Sequence, residues 1–64
     1  MSTAYDFYVA RADECARDAG ATALPNVRER CLRSEAVWRD LATRQQRGDV
    51  IRESRDAEKL SLLV

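Results

Sequence analysis

The sequence predicts an all-α fold: an antiparallel two-helix hairpin, followed by a short C-terminal segment, that assembles into a helical bundle. Two stripes of mainly apolar residues recur at steps of three and four, which is the spacing of one face of an α-helix. The stripes comprise Tyr5, Tyr8, Ala12, Cys15 and Ala19 before Pro25, and Val27, Cys31, Ser34, Trp38 and Leu41 after it. Because the second stripe mirrors the first, a chain reversal before Pro25 brings Tyr8 opposite Trp38 and Cys15 opposite Cys31.

The first helix is expected over residues 4–20. Thr3 is placed as its N-cap, and Asp6 adds a negative charge to the first turn, where it interacts favourably with the helix dipole. The segment from Gly20 to Asn26 separates this helix from the next. Phe7 falls on the charged side, so it is predicted either to be a partly exposed aromatic residue or to contact a second chain.

The second helix is expected over residues 25–47. Pro25 suits the first helical position, and Asn26 with Glu29 forms an alternative capping box one residue later. Gly48 is predicted to end this helix in the left-handed conformation. Three acid-first pairs at a spacing of four indicate a solvated helix face: Glu29 with Arg33, Glu35 with Arg39, and Asp40 with Arg44.

Residues 1–48 therefore form the predicted hairpin, and residues 49–64 form the C-terminal segment. A short third helix is one alternative for residues 50–59, although their apolar residues do not repeat cleanly. The final stretch, Leu60 to Val64, is apolar. It is expected to pack on the hairpin, to pack on a partner or to stay exposed.

The size and composition of the chain exclude several classes of protein. A chain of 64 residues forms at most one domain, and a hairpin of this length buries little apolar surface, so a covering partner is expected. Eleven basic residues balance eleven acidic ones, which argues against a polyanion-binding protein. Without histidine and with only two cysteines, no zinc site, other metal site or cofactor is predicted.

The predicted location is the cytoplasm, without membrane association. No apolar stretch is long enough to cross a bilayer, and no basic segment followed by an apolar one marks an export signal. Thiols stay reduced in that compartment, so Cys15 and Cys31 are expected to act as small buried apolar residues. The alternative is a redox-responsive disulfide between them.

Part of the sequence resembles a family of short, uncharacterised bacterial helical-hairpin proteins. The resemblance covers residues 8–42 and is carried by three motifs: Tyr8-x-x-Arg11-Ala12-x-Glu14-Cys15, Pro25-x-x-Arg28-x-x-x-Leu32, and Trp38-x-x-Leu41-Ala42. In that family an aspartate commonly precedes the proline, where this chain has Leu24, and leucine is usual where it has Asp18 and Ser34. The resemblance implies a helical hairpin and a cytoplasmic bacterial origin, and it brings no activity with it.

The expected function is non-catalytic protein–protein interaction, either as a homodimer or with a helical partner protein. No glycine-rich phosphate loop and no shielded titratable group can be constructed, so an enzyme is not expected. The predicted anchors are Tyr5, Tyr8, Leu32, Val37, Trp38 and Leu41.

An alternative function is a small regulator that binds nucleic acid or a transcription component through arginines of helix 2. Its candidate anion contacts are Arg33, Arg44 and Arg47, which share one side of the helix. Asp40 lies among them, and the other arginines scatter around the helix, so nucleic acid is the less favoured partner.

Overall fold

A computed structural model describes residues 3–63 of the chain. It contains two helices, α1 (Thr3–Ala21) and α2 (Pro25–Leu62), joined by residues 22–24. The helices pack against each other as a hairpin, and the molecule measures 60 × 14 × 11 Å. The predicted all-α hairpin is confirmed. Val64, the last residue of the apolar C-terminal stretch, lies outside the described residues.

The turn between the helices is held by hydrogen bonds that close the end of α1. The Leu24 amide donates to Thr22 Oγ1 at 3.2 Å. The Arg28 side chain reaches back from α2, where its Nε donates to the Ala19 carbonyl at 3.3 Å and its Nη2 donates to the Thr22 carbonyl at 2.9 Å. Arg28 therefore satisfies carbonyl groups at the end of α1 that have no partner within that helix.

Pro25 opens α2, as the sequence predicts. Leu24 occupies the N-cap position in an extended conformation, with φ −87° and ψ 116°, which is the conformation favoured before proline. The N-cap makes no side-chain hydrogen bond, so the alternative start at Asn26 with a Glu29 capping box is not the one adopted.

Small side chains occupy the centre of the contact between the helices. We call the contacting faces of α1 and α2 the seam. Ala12 is fully buried, and Ala19 and Ala42 are nearly so, while no larger side chain among the described residues is buried to that degree. Val27, expected opposite Ala19, is exposed because it lies in the first turn of α2, where the seam ends. Alanine lets the helix axes approach closely, but it buries little apolar area.

The predicted end of α2 at Arg47 is wrong. The helix runs through Gly48 to Leu62, and neither glycine has a positive φ. Residues 50–62 are therefore helical as a continuation of α2 and do not form a separate third helix.

Side-chain contacts across Gly48 explain why the helix continues. Gln45 Nε2 donates to Asp49 Oδ1 at 3.2 Å, and the same oxygen lies 3.5 Å from Arg52 Nη1. These contacts join one turn before Gly48 to one turn after it. A glycine inside a helix costs only about 1 kcal/mol, and no proline follows to stop the helix.

Gly48→Ala should stabilise the protein. A Cβ added at Gly48 has no neighbour within 4 Å, so the substitution improves helix propensity without a clash. We expect the free energy of unfolding to rise by about 0.5–1 kcal/mol, measured by thermal unfolding with circular dichroism. Gly20→Ala, equally free of neighbours but next to the end of α1, should have a smaller effect. A loss of stability in the Gly48 variant would instead indicate a left-handed helix end at that position.

Candidate interaction surface

Three aromatic rings and one arginine form a side-chain cluster on the hairpin. The Tyr8 and Trp38 rings stack with centroids 5.9 Å apart, and the Phe7 ring meets Trp38 edge-on at 5.8 Å. Phe7 also meets Tyr8 edge-on at 5.9 Å. The Arg11 guanidinium carbon lies 5.6 Å from the Trp38 ring centroid, within the range of a cation–π contact.

Phe7 is a partly exposed aromatic residue, which is the first of the two alternatives that the sequence left open, and its contact with a second chain stays a prediction. It contacts Trp38 within the same chain, yet 53 % of it stays exposed. Its position on the charged side of α1 gives no signal in the sequence for this contact with Trp38 on the other helix. The cluster therefore has one face inside the hairpin and one face open to solvent.

The six predicted anchors divide into two groups. Tyr5, Tyr8, Trp38 and Leu41 are half-buried in the hairpin, whereas Leu32 and Val37 are exposed on α2. Val37 lies beside Trp38 in a surface groove that Arg33 and Ser34 also line. The structure thus brings Tyr8 and Trp38 together, and it leaves Leu32 and Val37 available to another surface.

A polar contact ties the two helices together beside the aromatic cluster. The Arg39 guanidinium lies 2.7 Å from the Glu35 carboxylate on α2 and 3.2 Å from the Asp13 carboxylate on α1. Hydrogen bonds to Glu35 and Asp13 raise the pKa of Arg39 further above its ordinary value, so it stays charged. The sequence indicated the pair within α2, but the spacing gave no signal for Asp13, which lies on the other helix.

The arginines proposed as anion contacts differ in their surroundings. Arg44 lies 3.0 Å from Asp40, which offsets its charge. Arg33 lines the groove beside Trp38, and Arg47 lines a second groove with Gln46, Val50 and Ile51. Two of the three predicted acid-first pairs form ion pairs among the described residues, those of Arg39 and Arg44.

Cys15 and Cys31 are half-buried free thiols, one on each helix. Both belong to the stripes that form the seam, as the hairpin register requires. The redox-responsive bridge between them stays a prediction.

The second half of α2 extends beyond α1. At 1.5 Å per residue, α1 is about 28 Å long and α2 about 57 Å. Tyr5 in the first turns of α1 shares a cleft with Ala42 and Gln46, which places the start of α1 beside the middle of α2. Every described residue after Asp49 is exposed. We call residues 50–63 the overhang.

Large apolar side chains are concentrated on the overhang. Leu62 and Leu63 are each 82 % exposed, and three further residues are more than half exposed: Val50, Ile51 and Leu60. No other segment of similar length in the described chain exposes as many. The overhang is therefore the part of the described structure with the greatest capacity to bury apolar surface against another molecule.

Residues 3–63 contain no group of three or more Cys, Asp or Glu side chains placed to hold a metal ion. Neither helix, over its described length, is both long and apolar enough to cross a membrane.

No protein-family model, curated protein or solved structure matches this chain.

Trp38→Ala should destabilise the hairpin. The substitution removes the ring that Phe7, Tyr8 and Arg11 all contact. Because Trp38 is only half-buried, we expect a loss of about 2–3 kcal/mol in the free energy of unfolding, below the largest losses seen for aromatic residues in cores. Urea unfolding monitored by circular dichroism measures it.

Val37→Ala is the matched control for Trp38→Ala. It removes the neighbouring apolar side chain, which is 60 % exposed, so its effect should stay within about 0.5 kcal/mol. Equal losses in the two variants would contradict the central role of Trp38.

Proposed function

We propose that this chain is a non-catalytic interaction protein that self-associates through the exposed apolar surface of α2. The observation that supports the proposal is the overhang, a helical segment that carries half of the large exposed apolar side chains and extends past the start of α1. A helix from a different protein is the alternative partner for the same surface.

The small core of the hairpin supports this proposal. Its fully or nearly buried residues are three alanines, and the larger apolar side chains of the described residues are half-buried or exposed. Domains of this size bury a small fraction of their surface, and their stability is correspondingly small. A second surface that covers α2 would add the apolar burial that the hairpin lacks.

The length of the overhang is the second argument. An isolated helix of about 14 residues is marginal in water, because helices in proteins gain most of their stability from packing. Ion pairs such as Arg52 with Asp49 support the helix from its surface, but exposed pairs contribute little. The helical conformation of the overhang is therefore best explained by a packing partner.

A second copy is the preferred partner because it exposes the same apolar surface, which also lacks a covering helix. Most soluble oligomers consist of identical chains, and a two-fold interface buries the same patch on both copies. The neutral net charge of the chain adds no long-range repulsion between copies.

Self-association predicts that stability depends on protein concentration. Across about 1 µM to about 500 µM, sedimentation velocity should show the dimer mass appearing, and the thermal midpoint should rise with concentration. A monomer mass and a constant midpoint over the whole range would exclude self-association and would leave a different protein as the partner.

Two leucine variants locate the surface. Leu60 and Leu24 have nearly equal exposure, 65 % and 62 %, but Leu60 lies on the overhang and Leu24 in the turn. Leu60→Gln should therefore shift the monomer–dimer equilibrium toward monomer, whereas Leu24→Gln should leave it unchanged. The opposite order would place the interface at the turn.

A further inference from the structure

We propose that two copies pair through their overhangs in an antiparallel arrangement, with the two-fold axis at the level of Ser54. In this register Arg52 of each copy lies opposite Asp56 of the other, and Asp49 lies opposite Lys59. The inference rests on the self-association proposed above, and it adds the surface, the orientation and the register.

The pairing face is the continuation of the seam. Trp38 faces α1, so the direction of its side chain marks the seam side of α2. At 100° per residue, the residues near that direction continue along the overhang. They are Asp49, Arg52, Asp56, Lys59, Leu60 and Leu63. Glu53 lies at one edge of this face, and the register places it at the level of Arg55 of the other copy. A second helix packed on this face would lie along the overhang in the same way that α1 lies along the first part of α2.

The charges along this face select an antiparallel partner. Their signs alternate from Asp49 to Arg52, Asp56 and Lys59. A parallel copy in the same register would place Arg52 opposite Arg52 and Asp56 opposite Asp56, and such like-charge contacts are unfavourable. An antiparallel copy centred at Ser54 places each of these charges opposite the opposite sign, and the symmetry gives four ion pairs.

Of the two kinds of ion pair in this register, Arg52 with Asp56 is the more accessible to a second copy. The Arg52 side chain is 70 % exposed, and its contact with Asp49 is long, at 3.5 Å, so it is free to turn toward a second copy. The Asp49 side chain is only 18 % exposed and accepts a hydrogen bond from Gln45. The Arg52–Asp56 contacts are therefore the ones that the experiment changes.

Apolar residues flank the charges in the same register. Leu60 of one copy lies at the level of Gly48 of the other, and Gly48 has no side chain that would block the leucine. Leu63 lies at the level of Gln45, beside the beginning of α1. The ends of the pairing thus bury Leu60 and Leu63, while its centre matches charges. Val50, Ile51 and Leu62 point away from this face and stay exposed in the pair.

Two chains with one reversed charge each provide the test. In its own dimer, the Arg52→Glu variant brings the new glutamate opposite Asp56, and the Asp56→Lys variant brings the new lysine opposite Arg52. Each variant alone should therefore dimerise about tenfold or more weakly than the wild type, because like charges meet twice in each dimer. An equimolar mixture should form the heterodimer in preference to either homodimer, since the exchanged charges then attract each other across the interface. Native mass spectrometry and sedimentation equilibrium measure the species.

The mixture separates pairing between chains from effects within one helix. Residues 52 and 56 are also neighbours within α2, and reversing either charge weakens that contact. Mixing leaves each chain's internal contacts unchanged, so a heterodimer preference can arise only between chains. Arg47→Glu and Glu58→Lys reverse the same two signs on the opposite face of α2, and their mixture should show no preference.

The outcomes distinguish this inference from the proposed function. Wild-type dimers without any heterodimer preference in the mixture would overturn the register and leave self-association standing. An equal preference in the control mixture would also overturn it, because the pairing face would then be wrong. Wild-type monomers at every concentration would remove both proposals.

Discussion

Close contact between two helices through alanine determines what this hairpin can and cannot do. Ala12, Ala19 and Ala42 allow the axes to approach, but each contributes only a methyl group to the buried surface. The rest of the stabilisation comes from half-buried and exposed contacts between the helices, where Trp38 stacks on Tyr8 and Arg39 joins both helices. A hairpin built this way has a defined register and a small margin of stability.

The two helices differ in length because the sequence stops α1 at the turn before Pro25 but does not stop α2 at Gly48. Pro25 and the extended Leu24 fix the beginning of α2, whereas nothing in the sequence after Gly48 compels it to end. Contacts among Gln45, Asp49 and Arg52 carry the helix past the start of α1. The hairpin therefore exposes much of its longer helix, which is the surface that the proposed association would cover.

The sequence predicted the features that depend on local periodicity. The three–four spacing located α1 and the contact of Tyr8 with Trp38, because helical geometry fixes which residues share a face, and Pro25 located the start of α2. It was wrong at Gly48, since a glycine ends a helix only when its neighbours do not support continuation. It missed the contact between Arg39 and Asp13, because pairing between helices depends on side-chain reach as well as register.

A charged pairing face and an apolar one would serve different purposes. An apolar continuation of the seam would bind other helices more strongly, but it would accept parallel and shifted arrangements as well. Alternating charges reduce the affinity and penalise every arrangement that brings like signs together. In the proposed pairing, Leu60 and Leu63 at the ends would supply affinity, while Arg52 and Asp56 at the centre would set the orientation. A thin hairpin that associated in the proposed way would benefit from this division, because an unselective apolar helix would aggregate.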